Sequence, residues 1–251
     1  MKGIQILPVE GVPEVRSGDD LIAILADAAR SDLHPGDVLV VTHKVVSKAE
    51  GRLVDLATVE PSTLAKSYAS EYGKDPRQIE VVLRESRRIV RMDRGIIISE
   101  TRHGFVCANA GVDASNVPGE DTVCLLPLDS DVSARKLRDA MAARLGVEVA
   151  VVISDSFGRA WRHGITDIAI GVAGMDPLAD YRGQNDPHGY PMDASVLAVA
   201  DELAGAAELV MGKTEGIPAA IVRGYEYEHV PGSASSSARD LLMPPERDMF
   251  R

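Results

Sequence analysis

Asn109-Ala110-Gly111-Val112-Asp113-Ala114-Ser115-Asn116 crowds the oxygens of Asn109, Asp113, Ser115 and Asn116 into eight residues directly after an apolar stretch. Carboxylate and amide oxygens at a strand end suit a hard divalent cation such as Mg²⁺ or Mn²⁺. Loops that leave strands are also where sites tend to be built, and Gly111 lets the backbone turn or approach a ligand closely. The same residues equally suit an Asx-turn cluster that caps its own backbone, and residue types alone leave the two readings level.

Ser154-Asp155-Ser156-Phe157-Gly158-Arg159 stands at the exit of a second apolar run, Val149–Ile153. Its carboxylate and two hydroxyls could complete a hard-cation site with Asp113. Arg159, Arg162 and His163 suit phosphate or carboxylate oxygens, arginine through its bidentate fork. The plain alternative is an aspartate capping the next turn beside a solvated basic loop. Two such junctions in one chain favour function.

Met211-Gly212-Lys213-Thr214-Glu215-Gly216 contains the Gly-Lys-Thr of a phosphate loop. That motif needs a glycine five residues before the Gly-Lys pair, where Ala207 stands, and a preceding strand, where the pattern reads as helix. It is therefore not a Walker A loop, although a polar loop between glycines can still wrap a nucleotide; a surface turn is the equal alternative. In Thr42-His43-Lys44-Val45-Val46-Ser47-Lys48, the two lysines share a face on a helical turn and could reach one polyphosphate; otherwise they are a solvated pair. The remaining histidines show no metal-ligand spacing, which argues against zinc. Neither a Gly-x-Ser-x-Gly elbow nor a Gly-x-Gly-x-x-Gly dinucleotide fingerprint occurs.

The elements that must position these residues are mixed. Ile4–Leu7 reads as a strand, and Ser17–Asp20 offers caps for a helix with Leu21, Ile22, Leu25, Ala28 and Ala29 on one face. Val38–Val41 is an uninterrupted apolar run typical of a strand buried on both faces. Helices are expected over Ser62–Tyr72, stopped by Gly73, and Pro76–Ser86, with Asp75 as N-cap. Strands follow at Ile89–Met92, Gly95–Ile98 and Gly104–Ala108, and Cys124–Leu128 is extended. Ser133 opens a helix with Leu137, Met141 and Leu145 on one stripe, ended by Gly146. Val147–Ser154 is a strand, Ala194–Leu209 an Ala-rich helix with Leu197, Ala200 and Leu203 inward, and Ala219–Val222 the last strand. Hairpin-like strands in the middle break the βαβ rhythm, so the expected class is α+β, mixed sheets with packed helices. One domain over residues 1–230 is expected, open to division into two intergrown subdomains, with a loosely ordered tail over 231–251.

With 251 residues, 45% hydrophobic and 26% charged, the chain sits in the ordinary globular range. No apolar run approaches the ~20 residues of a membrane span, and the N-terminus is too soon broken by Glu10 for a signal peptide. A net charge of −11 argues against general nucleic-acid or anionic-membrane binding. Two cysteines, Cys107 and Cys124, are too few for a disulfide framework, so the chain reads as cytoplasmic and reduced.

The order and spacing of several segments resemble a known family. These are Val9-Glu10-Gly11-Val12-Pro13, Val45-Val46-Ser47-Lys48-Ala49-Glu50-Gly51-Arg52, Asn109–Asn116, Asp155-Ser156-Phe157-Gly158-Arg159 and Gly216–Gly224. Together, from about residue 4 to about 225, they resemble the stand-alone form of the coenzyme F-420-0: L-glutamate gamma-ligase family. The resemblance implies a GTP-dependent ligase that adds glutamate to the lactyl carboxylate of a deazaflavin precursor, then a second glutamate through the first one's gamma-carboxylate. It implies that Asp113 and Asp155 ligate one Mg²⁺ or Mn²⁺ and that Ser156, where threonine is also expected, helps hold a second, with K⁺ a further candidate. Glu10, Gly11, Val12, Pro13, His43, Lys44, Lys48, Asn116 and the stretch Met211, Gly212, Lys213, Thr214, Glu215, Gly216 and Ile217 would contact GTP. That last loop is about one residue shorter here than in some members. An intertwined homodimer acting on small molecules, with the site in a groove, is implied too.

The chemistry suits the residues. A carboxylate is a poor acyl donor, so phosphorylation by GTP to an acyl phosphate precedes attack by glutamate's amine. Phosphoryl transfer is accelerated mainly by positioning and charge neutralisation, for which Lys48 and Arg159 are the expected catalytic cations. Three anionic substrates on an acidic chain predict a cationic groove between them. A metal-dependent phosphohydrolase and a non-catalytic nucleotide- or deazaflavin-binding module are the alternatives.

Overall fold

The computed structural model of the chain describes residues 3–115, 119, 121–230 and 237–249. Strand β1 (Gln5–Pro8) leads to helix α1 (Leu21–Ala29), which Asp20 caps by accepting from the Ala23 amide at 3.0 Å. Strand β2 (Val38–Thr42) runs straight into α2 (His43–Ala49). After β3 (Leu53–Asp55) come α3 (Thr63–Tyr72), closed by Gly73 in the left-handed region, and α4 (Pro76–Glu85), capped by Asp75. Strands β4 (Ser86–Asp93), β5 (Ile96–Thr101) and β6 (Val106–Ala108) form a small antiparallel sheet. Next are β7 (Thr122–Cys124), paired to β3, and α5 (Ser130–Leu145). Strands β8 (Ala150–Arg159) and β9 (Arg162–Ala173) make a long hairpin. The short pair β10 (Ala179–Asp180) and β11 (Val196–Leu197), helix α6 (Val199–Met211) and β12 (Ala219–Arg223) complete the order.

The main sheet has the order β1-β12-β2-β8-β9. β2 and β8 are parallel, with Thr42 opposite Ser154, and the other neighbours are antiparallel. Strand β2 shows no alternation of apolar and polar residues, and Val38, Leu39, Val40 and Val41 are each 0% exposed. Since successive side chains point to opposite faces, both faces of β2 are covered. Helices α5 and α6 pack against this sheet, α1 packs on α5, and the apolar residues of all three join one core with it. A second core gathers α3 and α4 around Ile97, Val123 and Leu125. Mixed sheets with separate packed helices are the α+β architecture expected.

Between residues 129 and 199 the structure departs from the sequence expectations at three places. Residues 159–164 are not a basic loop: they turn β8 into β9, with Trp161 at φ 56° in a two-residue connection. Helix α5 starts at Ser130, because Asp129 accepts from the Val132 amide at 2.9 Å, while the Ser133 hydroxyl turns to Glu50. Residues 196–197 are strand β11, so α6 begins at Val199 and Leu197 is 43% exposed instead of inward. Within the C-terminal stretch, Ser237 donates to Asp131 at 2.6 Å and Ala238 is fully buried. Among the described residues no helix is long and apolar enough to cross a membrane.

Candidate active site

The parallel pair β2 and β8 ends where the chemistry begins. At Thr42 the chain leaves β2 as α2, whose 3.6-residue period sets Lys44 and Lys48 one turn apart on one face. β8 instead continues past its last pairing with β2, carrying Asp155 and Ser156 while β9 supports it: Ser156 lies opposite Asp167. The third contributor is the turn Asn109–Gly111, where Asn109, Ala110 and Gly111 take φ of 52°, 52° and 70°. Three successive left-handed residues reverse the chain and deliver Asp113 and Ser115. Only glycine takes that conformation freely, and a Cβ on Gly111 would also press on the Leu126 side chain.

These parts enclose a cavity of about 800 Å³, with Val12–Val15 on one wall and Met211–Gly216 on another. Three lysines, Lys44, Lys48 and Lys213, face five carboxylates, Glu14, Asp113, Asp155, Asp167 and Glu208. The expected cationic groove is thus replaced by a lining with excess negative charge. Each lysine is already engaged: Lys44 lies 2.6 Å from Asp113, Lys48 2.6 Å from Glu14, and Lys213 2.8 Å from Glu208. Lys44 also donates to Ser115 at 2.7 Å.

The ionisable groups respond to these partners. Burial pushes Asp113 up, but the hydrogen bonds and charge of Lys44 and the Ser115 amide outweigh it and hold the carboxyl below the ordinary range. Burial works to lower Lys213, yet its hydrogen bond to Glu208 and the charges of Asp167 and Glu208 hold the ammonium above its usual value. The Cys107 thiol is pushed up to about 12 by burial and by the nearby Asp155 charge.

The structure brings most expected residues together and leaves some aside. Asp113, Asp155, Ser156, Lys44, Lys48, Val12 and Pro13 line the cavity, as do Met211, Gly212, Lys213, Thr214, Gly216 and Ile217. Glu10 and Gly11 lie outside it, and Glu215 folds back to accept from the Thr214 amide at 2.9 Å. His43 is 1% exposed behind the cavity, with Nε2 3.2 Å from Asp155 Oδ1 but outside hydrogen-bond alignment. Its other ring nitrogen, Nδ1, lies 3.4 Å from Ser47 Oγ. Arg159 is not brought to the cavity either: it is exposed near the hairpin end, donating to the His163 carbonyl at 3.4 Å. Asn116 lies outside the described residues. Glu14, Asp167 and Glu208 are contributors that sequence reading missed. Reading residues 165–173 as a strand would have placed Asp167 against Ser156.

The donor set is one of hard oxygens. Among the described residues no three His, Cys, Asp or Glu side chains gather closely enough to hold a metal alone. Mg²⁺ sites commonly dispense with such a cluster, using one or two carboxylates completed by water and substrate phosphates. Asp113 and Asp155 fit that pattern, and the excess of carboxylates over lysines supplies the charge that a cation would neutralise.

The family model described as F420-0:Gamma-glutamyl ligase matches residues 11–224. The chain is 48% identical over 255 residues to a protein of Methanopyrus kandleri named Coenzyme F420:L-glutamate ligase, covering 100% of both chains. Proteins of the same name from Methanothermobacter thermautotrophicus and Archaeoglobus fulgidus are 44% and 39% identical, each alignment covering 99% of this chain and 99% and 96% of theirs.

Proposed function

Because this chain belongs to the F420-0:gamma-glutamyl ligase family, we propose that it joins L-glutamate to the coenzyme F420 precursor, as a GTP-dependent ligase. The observation that carries this reading is the meeting of the Lys44 and Lys48 ammonium groups with the Asp113 and Asp155 carboxylates in one cavity. A nucleotide triphosphate and a carboxylate substrate need that combination: cations to bind phosphate oxygens and carboxylates to hold the counter-ion.

In this reading the γ-phosphoryl group passes from GTP to the lactyl carboxylate, and GDP leaves. The amine of glutamate then attacks the acyl carbon, phosphate departs, and the amine loses a proton to complete the amide. Lys48, almost buried, binds a phosphate oxygen as a fixed charge once Glu14 releases it. Lys44 orients Asp113 and neutralises part of its charge. The Ser156 amide, donating to Asp155 Oδ1 at 2.7 Å, fixes the side-chain direction of Asp155, with the His43 ring packed behind it. Asp113 and Asp155 would hold a divalent cation, which when bound supplies charge neutralisation to phosphate oxygens. The loop Met211–Ile217 closes over the nucleotide from the opposite wall.

A gamma-glutamyl-ligase-type fold and a homodimer are part of the same reading. The hairpin end supports the second, since Trp161 is 82% and Ile165 58% exposed, a surface that a second copy would cover. The test is mass spectrometry of the deazaflavin after incubation with the chain, GTP, glutamate and Mn²⁺. Product heavier by one or more glutamyl units, formed only with GTP, is expected. Phosphate release that needs neither glutamate nor deazaflavin, with no heavier product, would point to a hydrolase instead.

A further inference from the structure

Residues 158–165, the end of the β8–β9 hairpin, are all exposed and begin at the rim of the cavity. Ile165, which lines the cavity, lies opposite Gly158, and on the next rung Arg159 lies opposite Arg162. Like charges directly opposite each other on paired strands repel and destabilise the pairing. Among the described residues neither arginine has a carboxylate partner. A guanidinium offers five N–H donors. Arg159 spends one of them, from Nη2 to the His163 carbonyl, at 3.4 Å, which is long for a hydrogen bond. His163 and Gly164 are extra residues of β9 opposite the step from Gly158 to Arg159. Bulges of this kind bend a strand and re-aim its side chains, and they gather beside active sites.

The cavity behind this rim lacks what an acidic amino acid needs. Its three lysines are each held by a lining carboxylate, and the carboxylates outnumber them five to three. Free glutamate carries one ammonium and two carboxylates. The acidic lining attracts the first and repels the other two, so the amine belongs inside and the carboxylates at the rim. We propose that Arg159 and Arg162 form the carboxylate clamp for the incoming L-glutamate, which enters amine first. Each guanidinium fork takes the two oxygens of one carboxylate, and the bound anion removes the repulsion of the empty pair. The clamp turns the amine toward Asp113 and Asp155, where the activated carboxylate lies in the ligase reading. It also selects an amino acid with two carboxylates. The inference rests on that reading and adds to it the site of the acceptor.

The experiment measures KM for glutamate, GTP and the deazaflavin in the full chain, with product followed by mass spectrometry and oligomeric state by light scattering. Arg159→Gln and Arg162→Gln should each raise KM for glutamate about tenfold, the loss of one charge-assisted contact, and the double variant should raise it further. Lysine at either position should give an intermediate KM, as a point charge without the fork. KM for GTP and for the deazaflavin should stay as in the wild type. A rise for either of these as large as that for glutamate would overturn the proposal, because the pair would then hold a different anion or support the fold. Unchanged KM for glutamate would overturn it too, and so would a changed oligomeric state, which would make the pair an interface contact. A wild type that forms no glutamyl product would instead overturn the ligase reading itself, and the inference with it.

Discussion

Lys48 and Glu14 meet at 2.6 Å although the lysine side chain is 6% exposed and the glutamate 66%. The buried ammonium needs an anionic partner, while the exposed carboxylate can return to water at little cost. In the proposed function, Glu14 is a placeholder that an incoming phosphate displaces. Charge-assisted hydrogen bonds contribute roughly 1.5–3 kcal/mol, so Lys48→Ala should raise KM for GTP about tenfold or more. Glu14→Gln should lower it, since the competitor is gone. Steady-state kinetics with GTP varied decides the matter, and an increase in KM for Glu14→Gln would refute the displacement.

Asp113→Asn and Asp155→Asn should each abolish turnover with the fold retained. Each substitution keeps the side-chain shape and removes one charge that would bind the cation. Circular dichroism should match the wild type while product formation falls below detection; normal rates in both variants would remove these residues from the site.

Asp113 also makes a stability prediction with a definite sign. Its carboxyl is held below the ordinary range in the folded chain, so the unfolded chain binds a proton more readily. The stabilisation is present above the unfolded pKa of about 4 and is lost as pH falls below it toward the folded value. Urea midpoints of wild type and Asp113→Asn should differ at pH 6 and draw together as pH falls below about 4. A gap that widens toward acid would contradict the assignment.

Neither thiol should react in the folded chain. Burial raises Cys124 to about 11 and, with the Asp155 charge, Cys107 to about 12, so at pH 8 the thiolate fraction is on the order of 10⁻³ or less. Ellman's reagent should find no thiol at first and both after unfolding. Rapid labelling of either in the native chain would show an accessible thiolate.

Gly111→Ala should destabilise the chain by roughly 1–3 kcal/mol, the range of a residue forced into a sparsely populated backbone region. The position has φ 70°, and the new methyl would crowd Leu126. For a chain of this size that is a drop of several degrees, at roughly 2–4 °C per kcal/mol, measurable by calorimetry.

Much of the fold was legible because local chemistry and tertiary structure agree there. Asp20, Asp75, Gly73 and Gly146 announce helix ends and serve as such. Val38–Val41 announces a doubly covered strand. β9 was hidden because its first residues, Arg162-His163-Gly164, are polar, and because the turn before it uses Ala160 and Trp161 where glycine or asparagine would be the signal. With that strand went Asp167, whose role exists only through its register opposite Ser156. The site residues were legible as types, and Asp113, Asp155, Lys44 and Lys48 do converge. Burial was not legible: nothing in the string marks His43 as sealed behind Asp155, or Arg159 as turned away on the hairpin.

The strand order has a consequence for how the chain is made. β12, the last strand of the main sheet, lies between β1 and β2, and β1 has β12 as its sheet neighbour. During synthesis the first strand must wait for the last, Ala219–Arg223, before it acquires a hydrogen-bonded edge. The wall formed by Val12–Val15 is anchored only then. A nascent chain short of β12 therefore exposes two unpaired strand edges, and closure over such sequence separation makes folding slow. The cavity wall beside β1 is therefore completed only after Ala219–Arg223 has been made.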